Sequence, residues 1–355
     1  MEHFYGKDKV ELTKDAKEAG HPAFRTDQLL DWVYDKGISD VGAMKNLGKK
    51  YIQYLNLNYR FETINILQVK KDSKEETIKF LLELEDGNTV EMVIMRYLHK
   101  DHTKERNTLC LSCQVGCPIG CPFCATGQSG LVRNLTTGEI VEQVFIANRY
   151  LASLGGRIGN VVFMGMGEPL LNRDAVFKGA GIIRESFGIS SRRITISTSG
   201  VLEGIREMAK LDLKYVLAIS LHGANDELRN RLVPLNKGQG LGSLIKVCKE
   251  YQDITRKRIT FEYIMIEGQN IQERDARELA TLLKGIDCHI NGIPINGVPG
   301  SEFQRPSRNA SRRFMGMCQD LGLSFSIREE KGTDIDGACG QLRNKERKVH
   351  ESDIG

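Results

Sequence analysis

From Thr108 onward the chain alternates short apolar runs with longer amphipathic ones, and this rhythm limits the fold more than any other feature. The runs "TLCLSCQV", "NVVFM", "RITIST", "YVLAISL", "RITFEYIMI" and "HINGIPI" end at positions 115, 164, 198, 221, 266 and 295. Between them lie stretches of helical spacing such as "GEIVEQVFIANRYLASL" and "DARELATLLKGI". Parallel neighbours need a crossover long enough for a helix. Six strands with five such crossovers therefore predict a parallel α/β sheet, open or curled into a partial barrel. At 355 residues the chain is long enough for that domain and a small second one, with a core that needs no staples.

The remainder divides by pattern. Residues 1–60 read as a small helical domain: in "FRTDQLLDWVYDKG", Leu29, Leu30, Trp32 and Val33 recur at helical spacing and Gly37 marks a stop. Residues 61–100 read as a β-hairpin connection, with Asp86-Gly87 as its turn. The α/β unit spans 101–342, and 343–355 is a tail too charged to pack. The first twenty residues are polar, and no window reaches the ~18 apolar residues of a membrane span. A soluble, cytoplasmic protein is expected. The net charge of +4 permits a nucleic-acid partner without arguing for one.

Five of the nine cysteines crowd into "TLCLSCQVGCPIGCPFC". In a reducing compartment this favours metal or catalysis over disulfides. Cys117, Cys121 and Cys124 read C-x3-C-x2-C, and three thiolates can hold three irons of a cubane cluster while leaving the fourth open. A zinc reading recruits Cys110-x2-Cys113 and Cys121-x2-Cys124 as half-sites and predicts a zinc-knuckle RNA-binding protein. Only seven residues separate those halves, against the ~15 usual in ribbon-type sites. The loop follows the first strand, where parallel α/β folds build their active face.

With Phe123 before its last cysteine, the loop resembles the C-x3-C-x-aromatic-C signature of the radical S-adenosylmethionine (SAM) superfamily. The resemblance implies a 4Fe–4S cluster whose open iron binds SAM, and a (βα)6 partial barrel. A SAM site needs a polar cradle on the neighbouring strand ends. "FMGMGEPLLN" offers Gly167 and Glu168, with glycines that let backbone approach a ligand and a carboxylate for the methionine ammonium. Ser197 of "STSG", then Ser220, Leu221 and His222 of "SLH", and Asn296 of "IPIN" follow on successive strands. Read alone, His222 is equally an ordinary core histidine.

Further motifs run in order along nearly the whole chain: "FLLELEDGNTVEMVIM", "CQVGCPIGCPFCATGQSGLVRNLTTGEIVEQV", "VFMGMGEPLLN", "AISLH" and "GTDIDGACGQL". Together these resemble the RNA adenosine-methylating branch of the superfamily, the RlmN/Cfr family. The resemblance implies that Cys339 is methylated by a first SAM and that a second SAM supplies a radical. A methylene radical on Cys339 then adds to the base, and the adduct is released through a transient Cys110–Cys339 disulfide. Glu91 matches the family's proton acceptor. Two thiols make chemical sense, because carbon 2 of adenine is unactivated towards polar methyl transfer, whereas a thiolate accepts a methyl group readily.

The family divides between carbon 2 and carbon 8. The prolines of "GMGEPL" and "IPIN", with Val115 in place of a further cysteine, point to the carbon-2 branch. Carbon-8 enzymes confer ribosomal antibiotic resistance and are the alternative. The carbon-2 resemblance implies 23S rRNA and tRNA as substrates, an electron donor such as flavodoxin or ferredoxin, and a monomer. Cys113, where serine or threonine is usual, and Gly292 depart from the pattern. Arg192-Arg193, Arg256-Lys257-Arg258 and Lys49-Lys50 are candidate phosphate contacts.

Overall fold

The computed structural model describes residues 1–98, 105–211, 213–296, 302–328, 331–332, 335–338 and 340–342. The amino-terminal part carries three helices, α1 (Lys9–Glu18), α2 (Phe24–Leu30) and α3 (Lys49–Asn58). Asp8 caps α1 reciprocally with Glu11. Past Leu30, α2 continues into one widened turn, burying Leu29 and Val33 completely, and the chain leaves it at Gly37 with φ +70°. The expected helix and its stop are both present.

A ten-stranded sheet follows, in which the order of strands in space is their order in sequence. Three antiparallel strands come first: β1 (Asn65–Lys71), β2 (Thr77–Glu83) and β3 (Thr89–Leu98). Asp86-Gly87 turns β2 into β3, as the sequence predicts. Strand β3 pairs antiparallel with β4 (Glu105–Cys110), so the hairpin extends the main sheet. Parallel strands β5 (Ile158–Phe163), β6 (Ile194–Thr198), β7 (Val216–Ser220), β8 (Ile259–Met265), β9 (Cys288–Pro294) and β10 (Phe325–Ile327) complete it. Every neighbour pair from β4 to β10 is parallel.

Between these strands run α4 (Thr137–Ala152), α5 (Arg173–Ser186), α6 (Leu202–Lys210), α7 (Asp226–Leu232), α8 (Gly240–Thr255), α9 (Glu273–Leu282) and α10 (Arg308–Asp320). This is the (βα)6 partial barrel, closed off by a seventh parallel strand that the pattern did not announce. Three residues are too few to register as an apolar run. The run "TLCLSCQV" also divides. β4 ends at Cys110, because the Gln143 amide on α4 takes both the N–H and the C=O of Ser112 in place of a strand partner, at 2.9 and 3.0 Å. Gln114–Gly116 then pairs with Leu131–Asn134 as a separate hairpin.

Glu142 on α4, almost fully buried, joins the amino-terminal part to this sheet. It accepts from the Thr63 N–H and hydroxyl and from the Ile64 N–H at 2.7–3.2 Å, and its other contact is His3. Among the described residues no helix is long and apolar enough to cross a membrane.

Candidate active site

At the carboxyl ends of the strands the curled sheet opens into two adjoining cavities. The larger has a volume of about 170 Å³ and is lined by Cys117, Cys121 and Cys124, by Gly167 and Glu168, and by Ser197, Ser220, His222 and Asn296. Nine of the residues singled out from sequence thus meet in one place, drawn from five segments of the chain. Leu221 does not face it: the side chain is fully buried in the core, while its N–H donates to the Glu262 carbonyl and its own carbonyl accepts from Arg229.

The cysteine loop is shaped by backbone constraints. Cys117 donates its N–H to Gly130, and Gly116 sits at φ +77° with the Gly130 oxygen 1.8 Å from where a Cβ would lie. After Cys124, a helical turn (Ala125–Gln128) is held by the chain's last described residues. Ala125 N–H donates to the Gly340 carbonyl at 2.7 Å, and the Thr126 hydroxyl to the Leu342 carbonyl at 2.6 Å. Among the described residues no three His, Cys, Asp or Glu side chains are already drawn up as a metal site. The three thiols nevertheless share one wall, packed against Leu228, Leu232 and Ile264. Burial pushes Cys117 up to about 12, and Cys121 is pushed up by burial and then by its neighbours Cys124 and Cys117. Soft donors so placed ionise only when a cation joins them, which fits an iron–sulfur cluster.

Glu168 is 3% exposed. One carboxylate oxygen accepts from the Leu170 N–H at 3.1 Å, the other from the Ser199 N–H and hydroxyl, both at 2.7 Å. Burial raises its pKa, opposed by the donors at Ser199. Glu168 therefore ties the end of β5 to the end of β6 while facing the cavity. The glycine before it serves the protein: at φ +107°, a Cβ on Gly167 would meet the Gln114 side chain at 2.6 Å. Close approach to the chain's own strand is required there, at a glycine that also lines the cavity.

His222 has φ +61°. Its Nδ1 accepts the Ile264 N–H at 3.1 Å, which leaves the ring proton on Nε2. The Phe123 ring meets it edge-on, with centroids 5.0 Å apart. Burial lowers its pKa to about 3, and the nearby Arg229 adds to this. The imidazole is neutral and lines the cavity.

The smaller cavity is lined by Cys110, by Val93 and Met95 of β3, and by Gly337 and Ala338. It shares Met164, Ile293, Asn296 and Arg328 with the larger one. Cys110 is buried, opposite Val93 in the β3–β4 register. Cys339 lies outside the described residues. Its neighbours divide between the cavities, Ala338 lining the smaller and Gly340 the larger. Glu91 lies on β3 two residues before Val93 and is not among the residues lining either cavity. Its carboxylate pairs with Lys79 at 2.7 Å, both side chains almost wholly buried, and Lys79 also donates to the Asp336 carbonyl at 3.2 Å.

Sequence reasoning missed Ser199, Glu262 and Arg328. Arg192-Arg193 precede β6 and Arg256-Lys257-Arg258 precede β8, at the amino ends of the strands, opposite the cavities. Lys49 and Lys50 are exposed at the start of α3.

Comparison with known proteins gives concordant matches. The Radical SAM superfamily profile matches residues 111–280, and the profile described as the ribosomal RNA large subunit methyltransferase N-terminal domain matches residues 4–59. Proteins named "Probable dual-specificity RNA methyltransferase RlmN" from Staphylococcus aureus strains JH9 and Newman are each 42% identical to the chain over 334 residues, which is 94% of this chain and 90% of theirs. The crystal structure of a radical SAM methyltransferase from Sphaerobacter thermophilus superposes with a TM-score of 0.91 at 40% identity, covering 97% of this chain and 99% of that one.

Proposed function

The chain belongs to the RlmN-type radical SAM RNA methyltransferases, and from that premise we propose that it methylates carbon 2 of adenosine in 23S rRNA and in tRNA. Cys117, Cys121 and Cys124 would hold a 4Fe–4S cluster. When bound, it supplies the electron that divides SAM into methionine and a 5′-deoxyadenosyl radical. Glu168, Gly167, Ser197, Ser220, His222 and Asn296 would hold SAM, with Glu168 accepting from the methionine ammonium and the neutral His222 donating from Nε2.

The two remaining thiols divide the work. The Cys339 thiolate takes the methyl group of one SAM and S-adenosylhomocysteine leaves. Loss of a hydrogen atom from that S-methyl group, at the expense of a second SAM, lets its carbon bond to the adenine ring. Glu91 accepts the proton from carbon 2. Cys110 attacks the Cys339 sulfur and the carbon–sulfur bond breaks; the carbon takes a proton to become the methyl group, the adduct's unpaired electron passes to the redox partner, and a Cys110–Cys339 disulfide is left for reduction. An external electron donor such as flavodoxin or ferredoxin completes the cycle, and the enzyme acts as a cytoplasmic monomer.

One observation carries this reading. The Cys110 cavity and the cavity of the three cysteines share a wall of Met164, Ile293, Asn296 and Arg328, with the residues on either side of Cys339 divided between them. The test is mass spectrometry of two variants incubated with RNA, SAM and reductant. Cys339→Ala should form neither methylcysteine nor RNA adduct, whereas Cys110→Ala should accumulate protein crosslinked to RNA. A crosslink in the Cys339 variant, or normal turnover by the Cys110 variant, would reverse the roles. Nucleoside digestion of the wild-type product should give 2-methyladenosine, and 8-methyladenosine would overturn the regiochemistry.

A further inference from the structure

Glu262 stands on β8, in register with Ser220 of β7 on one side and Asn291 of β9 on the other. With Ile264 it faces the larger cavity, while Tyr263 between them faces outward and stacks on Phe314 of α10. Its carboxylate is 5% exposed. One oxygen, Oε1, accepts from the Asn291 amide at 3.1 Å. The other, Oε2, is fully buried and meets no donor among the described residues.

The supporting side is anchored. Ser326 on β10 donates to Asn291 Oδ1 at 3.4 Å and lies 2.8 Å from His289 Nε2, so a polar row runs from the sheet edge to Glu262 and fixes its orientation. Burial pushes the Glu262 carboxyl up, against the charge of Arg328 and the Asn291 hydrogen bond. Leaving a buried carboxyl oxygen without a donor is unfavourable, because its lost hydration is not replaced. Buried polar atoms in folded proteins are nearly always partnered, so an orphan on a residue that lines a cavity points to a ligand atom.

Position identifies the atom. Glu168 and the cysteine loop occupy the β4–β6 side, and Glu262 lies across the cavity on the β7–β9 side. A molecule with its amino-acid end at Glu168 extends its nucleoside over β7 to β9. There the strands present two layers. Ile264, Ile293 and Ile295 offer apolar surface nearer the mouth, suited to a flat base, and Ser220, Glu262 and Asn291 form a polar row beneath. We propose that Glu262 is a ligand-binding residue whose Oε2 accepts a hydrogen bond from a ribose hydroxyl of SAM. The assignment rests on the reading that this cavity holds SAM.

The experiment is anaerobic calorimetry of the cluster-loaded enzyme with S-adenosylhomocysteine and its 2′-deoxy and 3′-deoxy analogues as unreactive probes. Deleting the contacted hydroxyl should weaken binding to the wild type roughly 10–100-fold, the range for a hydrogen bond to a charged acceptor. Glu262→Ala should bind the parent compound weaker by a similar factor and become indifferent to that deletion. Glu262→Gln, which keeps the shape and one acceptor, should fall between. Iron content and visible absorbance should match the wild type in both variants. If neither deoxy analogue binds the wild type more weakly, or if the variants lose affinity equally for every probe, the assignment is wrong. Should S-adenosylhomocysteine fail to bind the wild type at all, the SAM reading falls, and this one with it.

Discussion

Replacing Lys79 by Met should uncouple a deeply buried ion pair between the neighbouring strands β2 and β3. Lys79 and Glu91 meet at 2.7 Å with side chains 6% and 5% exposed. Methionine occupies nearly the same volume as the lysine stem, so the substitution leaves little cavity and the cost is electrostatic. Stranding a buried carboxylate costs ~3–5 kcal/mol. An upper bound follows independently, because the variant can escape by binding a proton. For a carboxyl that titrates near ~4.3 when free, protonation costs about 4 kcal/mol at pH 7.5 and about 2 kcal/mol at pH 5.5. The destabilisation of Lys79→Met should therefore approach 4 kcal/mol at pH 7.5 and shrink by about half at pH 5.5. The double variant Lys79→Met/Glu91→Gln should recover most of it, since no charge is left to strand. Urea unfolding of the four proteins at both pH values measures every term. A loss independent of pH, or a double variant no more stable than Lys79→Met, would refute the reasoning. The same variant bears on chemistry: a protonated Glu91 accepts no proton, so Lys79→Met should still methylate Cys339 yet stall as the RNA adduct.

Three other outcomes are expected. Glu168→Ala should weaken SAM binding at least 10-fold with iron content unchanged, and equal affinity would show that the ammonium lies elsewhere. Gly116→Ala places a Cβ 1.8 Å from the Gly130 carbonyl oxygen at φ +77°, so the cysteine loop should lose iron while helix content by circular dichroism stays intact. His222 is held neutral, with a folded pKa near 3 against ~6.5 unfolded. The unfolded chain binds the extra proton, so stability is lost as pH falls from about 6.5 towards 3, reaching about 2 kcal/mol at pH 5. Comparing the wild type with His222→Asn by urea unfolding at pH 7.5 and 5 isolates that contribution, and identical acid losses would contradict it.

What sequence revealed and what it hid follow from contiguity. The cysteine loop, Glu168, Ser220 and His222 sit in short motifs whose spacing states their chemistry, and each motif ends a strand, so the alternation of elements already places them at one mouth. Glu262 carries no motif. It is one carboxylate in the apolar run "RITFEYIMI", and only the β7–β8–β9 register puts it beside Ser220 and Asn291. Ser199 was visible in "STSG", but its partnership with Glu168 joins two loops 31 residues apart. Lys79 and Glu91 belong to neighbouring strands, and no single-strand pattern says that a lysine and a glutamate point the same way under cover. Arg229, fully buried, lies on a helix of ordinary charged appearance and serves four acceptors, at Leu221, Asn236, Ser199 and Ser220. Such second-layer groups are set by tertiary geometry, which local pattern does not encode.

The contacts that hold Ala125 and Thr126 to Gly340 and Leu342 also set a timetable. Thr126 and its acceptor are 216 residues apart. A ribosome adding roughly 5–20 residues per second therefore releases the cysteine loop about 10–40 seconds before the segment that braces it exists. During that interval three thiols wait in an unfinished loop, open to oxidants and to stray metals. A cluster held by these thiols would be loaded after the chain is complete, once the bracing contacts have formed.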